Sequence, residues 1–147
     1  MKKITLTNGG YAIVDDDRYD ELSKFNWYKH TMGYAVTTIK SKTTLMHRYL
    51  INAESGKSTD HINRNKLDNR IENLRVCNQS ENQANKIMKN KSGHKGIVWD
   101  KSRKLWRARI NKNGIEYHLG RFKKISEAIK AYRKGAESLY GEFALIS

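Results

Sequence analysis

The sequence has no proline and a single cysteine in 147 residues. Without proline there is no ring to fix φ or to stop a helix, so element boundaries must rest on glycine, asparagine and capping residues. A lone Cys77 excludes a disulfide framework and a cysteine-rich zinc site, and a reduced, cytoplasmic setting is expected. No apolar run is long enough to span a membrane, and Met1-Lys2-Lys3-Ile4-Thr5-Leu6 lacks the apolar stretch of a secretory signal. Acidic residues are also scarce, 15 against 29 Lys plus Arg, for a formal net charge of +14. Such a surplus in a short chain calls for a polyanionic partner rather than a small-molecule substrate or a membrane. It is unevenly spread: residues 1–50 and 51–92 each carry +3, and residues 93–147 carry +8. With 37% hydrophobic residues, the chain has room for one modest domain or two small modules.

The N-terminal third reads as short strands. Ile4 and Leu6 alternate with polar neighbours, Asn8-Gly9-Gly10 is a turn, and Tyr11 to Val14 is a second strand. Asp15-Asp16-Asp17 offers capping oxygens to a helix through about Phe25. Trp27-Tyr28 and Tyr34 to Val36 form a hairpin turning near Met32-Gly33, with Tyr11, Trp27, Tyr28 and Tyr34 expected in the core. The spacing of Leu45, Met46, Tyr49 and Leu50 predicts a helix from Thr44 to Ala53. Residues 54–73 are a polar loop anchored by Ile62, Leu67 and Ile71, of the kind that is functional or disordered. A strand over Leu74 to Cys77 precedes a helix from Ser80 to Met88.

Lys89-Asn90-Lys91-Ser92-Gly93 is the best linker. Beyond it lie three strands, at Gly96 to Trp99, Leu105 to Ile110 and Glu116 to Leu119, with Asn113-Gly114 as a two-residue hairpin turn. A closing helix runs from Ser126 to Tyr140, with Ala128, Ile129, Tyr132, Ala136 and Leu139 along one stripe. Alternation places Trp106, Ala108 and Ile110 towards that helix, and Arg107, Arg109 and Asn111 on the opposite face.

The segment from Thr59-Asp60-His61 to Asn73-Leu74-Arg75, continued by Ser80-Glu81-Asn82, resembles the motif of HNH endonucleases of the phage and homing type. Met46-His47-Arg48-Tyr49-Leu50 is similar to a block that such proteins carry upstream. The resemblance implies a ββα-metal unit and a catalytic set. Asp60 and Asn82 would hold one divalent ion, Mg²⁺ before Mn²⁺. His61 would be the general base, and Asn73 would orient it. The expected products are 3′-hydroxyl and 5′-phosphate ends, made by nicking double-stranded DNA in a phage-infected bacterium. His47 is read as a residue that packs near the site or supports a ligand rather than as a ligand itself, and Cys77 as core.

Gly96-Ile97-Val98-Trp99, Lys104 to Ala108, His118 to Phe122 and Glu127-Ala128 resemble the ethylene-response-factor type of DNA-binding domain, which reads the major groove through a sheet. That resemblance implies base contacts from Arg107, Arg109 and Asn111, then His118 and Arg121. Lys104 and Lys123, with Arg70 and Arg75 in the central module, are assigned to DNA as well. The expected fold is α+β: N-terminal strands and a ββα-metal core, then a three-stranded antiparallel sheet packed on one helix. The expected modules are 1–89 for the nuclease and 90–147 for DNA binding. The alternative is a catalytically inactive DNA-binding regulator.

Overall fold

The computed structural model describes residues 1–52, 54, 56–86 and 90–144. The chain is α+β, and its strand ladders are all antiparallel. It divides into two compact units, Met1–Asn78 and Gln79–Ser147.

In the first unit, β1 (Lys2–Thr5) pairs with β2 (Tyr11–Val14). A 3-10 turn over Asp16–Arg18 leads into the short α1 (Tyr19–Leu22). Next, β3 (Tyr28–Lys29), β4 (Ala35–Ile39) and β5 (Lys42–Leu45) form a small sheet in that order. After α2 (Met46–Ile51), β6 (Ser58–His61) and β7 (Leu74–Cys77) close a hairpin. The core gathers Ile4, Leu6, Ala12, Val14, Leu22, Trp27, Ala35 and Met46. Trp27 is fully buried and its indole N–H donates to Leu22 O at 2.8 Å, so the largest apolar ring enters without an orphaned donor.

Several local expectations change. The helix expected from Thr44 starts instead at Met46, because Lys42–Leu45 is a strand. Lys40 and Ser41, both at positive φ, turn the chain between β4 and β5, and β-branched Thr43 and Thr44 suit the pleat. Ala53 lies outside the described residues. The helix after Asp15 ends at Leu22, and Asp15 makes no side-chain cap. Its carboxylate accepts instead from Ile71 N at 2.7 Å. Tyr11 is exposed, with the Lys3 ammonium over its ring at 4.0 Å. Trp27 is core as expected, and Cys77 is buried.

In the second unit, α3 (Gln79–Ala84) precedes the sheet β8 (Ile97–Asp100), β9 (Leu105–Lys112) and β10 (Ile115–Phe122), with β9 in the middle. Then α4 (Ile125–Tyr140) packs across it. Ile97, Ala108 and Ala128 are the buried centre, ringed by Trp106, Leu119, Phe122, Ile129 and Tyr132. Gly96 sits at φ +70, where a Cβ would overlap the Tyr132 ring and the Arg109 carbonyl. Ser80 lies within α3 and its hydroxyl meets Tyr140 OH at 3.0 Å and Asn113 N at 3.1 Å. Lys95 donates to the carbonyls of Gln83, Ala84 and Lys86, covering acceptors that a helix end leaves open. The expected end of that helix at Met88, and Lys89 of the linker, fall outside the described residues. Asn90 and Ser92 are tied by hydrogen bonds to His94 and Ile97.

Candidate active site

The β6–β7 register sets Asp60 opposite Arg75 and His61 opposite Leu74. Asp60 and His61 are consecutive on β6, and the Asp60 charge acts on both the His61 imidazole and the nearby Tyr34. Asp60 and His61 are buried, at 8% and 4% exposure. The ladder runs on into the connecting loop, where Ile62 N donates to Asn73 O at 2.9 Å.

Asn73 clamps that loop. Its Oδ1 accepts from Asn63 N at 2.9 Å, and its Nδ2 donates to Asp68 O at 2.7 Å. Asn63 Nδ2 reaches the Asp68 carboxylate at 2.8 Å, and the Arg70 guanidinium forks onto the same carboxylate at 2.8 Å. That guanidinium holds the Asp68 carboxyl below the usual range, and the carboxylate raises Arg70 in return. Arg70 also pairs with Glu72. The N-terminal hairpin supports the loop from below: Ile13 N donates to Leu67 O at 2.8 Å, and Asn69 N to Ile13 O at 2.7 Å.

A side-chain contact to His61 comes from a residue that the motif does not assign to it. Asn69, 1% exposed, places Oδ1 3.4 Å from His61 Nε2, while its own Nδ2 is buried without a hydrogen bond. From the other side, His47 of α2 meets the His61 ring edge-on, centroids 5.0 Å apart, and Tyr34 lies 5.0 Å from His47 and 5.9 Å from His61. His47 packs, as expected. Burial first, then the nearby His61 and Arg48, push its imidazole down to about 3. Burial also lowers His61, opposed by the Asn69 contact and the Asp60 and Asp68 charges. A neutral imidazole is the form that can take a proton.

The Asp60 carboxylate is engaged by a cation. Arg75 Nη2 and Nε approach its Oδ2 at 2.8 and 3.1 Å, with side chains 11% and 9% exposed. Asn82 is half-buried on α3 of the second unit. Among the described residues no group of three or more His, Cys, Asp or Glu could hold a metal. The Asp60 carboxylate is the kind of oxygen donor that a hard divalent ion takes while keeping most of its waters.

On the sheet, Arg107, Arg109 and Asn111 share the face turned from α4, with Arg121, His118 and Glu116 as their β10 partners. Acids that the strand pattern alone did not reveal are interleaved there. Arg109 pairs with Glu116, and Arg121 lies 3.5 Å from Asp100 and 3.0 Å from His118 Nε2. Ser102 first, then the Arg103 backbone, hold the Asp100 carboxyl down at about 2. The Asn113-Gly114 turn starts this register with the Glu116–Asn111 pairing beside Arg109, and an irregularity between His118 and Gly120 shifts it by one before Arg107 meets Arg121. Lys104 and Lys123 are exposed at the ends of the strands. No helix of the described residues is long and apolar enough to cross a membrane.

The HNH endonuclease family profile matches residues 52–84. The chain is 34% identical over 143 residues to an uncharacterised HNH endonuclease of Acanthamoeba polyphaga mimivirus, covering 92% of this chain and 74% of that protein. It is 34% identical over 91 residues to Protein 3.8 of Escherichia phage T7, covering 60% of this chain and 74% of that protein. No solved structure matches it.

Proposed function

Because the chain belongs to the HNH endonuclease family and is a nuclease, we propose that it hydrolyses DNA phosphodiesters with one divalent ion, Mg²⁺ before Mn²⁺, at a centre on the β6–β7 hairpin. The observation that carries this reading is the buried Asp60-His61 pair within the matched segment, with the imidazole held against Asn69.

His61 draws the proton from the attacking water. Asn69 steadies the ring at Nε2, and Asn73 acts one step removed, by clamping the loop that carries Asn69. Asp60, and from α3 Asn82, would offer oxygen ligands to the ion, as a ββα-metal motif implies. The bound ion supplies counter-charge to the transition state and to the departing oxygen. The products are a 3′-hydroxyl and a 5′-phosphate. One centre per chain nicks one strand of a duplex.

Residues 90–147 choose the site as an ethylene-response-factor-type module, and residues 1–89 cut. Arg107, Arg109 and Asn111, then His118 and Arg121, face base edges in the major groove, where Arg suits guanine and Asn suits adenine. Lys104 and Lys123 hold phosphates, which take half or more of the hydrogen bonds in such complexes. Arg70 and Arg75 reach phosphate only after leaving the carboxylates they pair with.

The test is supercoiled plasmid with Mg²⁺, Mn²⁺ or EDTA. Open circles that form only with the ion, and that DNA ligase reseals without prior end repair, are expected. Cutting in EDTA, or nicks that ligase does not reseal, would sink the metal and product assignments.

A further inference from the structure

We infer that Arg75 sets the centre's affinity for its divalent ion by competing with it for the Asp60 carboxylate. The inference rests on the reading of Asp60 as an ion ligand. The contact between Arg75 and Asp60 follows from strand register rather than from the chance reach of a long side chain, since the two residues face each other across the ladder. Both Nη2 and Nε converge on one oxygen, Oδ2, and both side chains are nearly out of solvent. A buried carboxylate needs a compensating charge, and in the ion-free protein the guanidinium supplies it.

A hard divalent ion seeks that same carboxylate. Guanidinium and ion repel each other at so short a range from a shared partner. Ion binding is therefore an exchange: the protein gives up a charge-assisted pair to gain an ion–carboxylate contact. The apparent affinity is lowered by the strength of the pair given up. The opposite geometry, in which Arg75 aims the carboxylate at the ion, predicts the opposite sign, and this makes the inference testable.

The experiment is calorimetric titration of the full chain with Mn²⁺, comparing wild type, Arg75→Gln, Arg75→Lys and Asp60→Asn. With the competing charge removed from the shared carboxylate, Arg75→Gln should bind Mn²⁺ about tenfold more tightly or better. Arg75→Lys, which restores the charge, should stay near wild type, and Asp60→Asn should lose binding. Unchanged or weaker binding in Arg75→Gln overturns the competition. Wild-type affinity in Asp60→Asn overturns the ligand reading beneath it instead, so the two failures are distinguishable. Should Arg75→Gln not fold, the wild-type protein still decides. The Arg75 Nε–H resonance, followed by NMR during Mg²⁺ titration, should move and saturate with the binding isotherm. A resonance that stays fixed as the ion binds contradicts the exchange.

Discussion

At the scale of residues, Asp60 and His61 take their surroundings from side chains of several elements. Tyr34 and His47 come from β4's approach and from α2, and the loop bearing Asn69 is held by β2, all distant in sequence. Asn73 was expected to steer His61, yet its amide ties down the loop. Removing both of those bonds with Asn73→Ala should cost about 1–3 kcal/mol, read from urea unfolding. His47 makes a pH prediction. Its folded pKa lies at about 3 against an ordinary 6.5. Between these values the unfolded chain binds the proton and the folded chain does not, so stability is lost as pH falls from 6.5 towards 3. The slope from one such group is at most about 1.4 kcal/mol per pH unit. Melting temperatures across that window should fall with acid in wild type and fall less steeply in His47→Phe. Identical slopes would remove His47 as the source.

At the scale of elements, the second unit was the more readable. Its three strands and helix follow from alternation, from Asn113-Gly114 and from a clean helical stripe, because each signal is local. In the first unit, short elements take their limits from tertiary contacts. Asp15 looked like a helix cap but serves Ile71, and Thr44 and Leu45 read as helix but pair in β5. A glycine comparison probes the sheet–helix packing. Gly114→Ala, at φ +81 with open space, should cost about 1 kcal/mol. Gly96→Ala should cost clearly more, since its methyl also collides with Tyr132 and the Arg109 carbonyl. Equal costs in thermal melts would mean that α4 yields at that point.

At the scale of the whole molecule, the charge is what the sequence announced most plainly, and more than half of the +14 falls in residues 93–147. If Lys104 and Lys123 each neutralise a phosphate, replacing both with Ala should flatten the salt dependence of DNA binding by about 2 in log–log slope. Arg109→Ala should weaken site preference more than Lys123→Ala does, because a base contact carries sequence and a phosphate contact does not. Equal loss of preference in a binding-site selection would undo the sheet-in-groove assignment. The central claim is that the β6–β7 hairpin cuts. Its most direct test is the single-turnover nicking rate of supercoiled DNA in Mg²⁺, for wild type and His61→Ala, with both proteins saturating the DNA. A loss of about 10²-fold or more with DNA binding intact is predicted for removal of the general base. Equal rates would contradict the account.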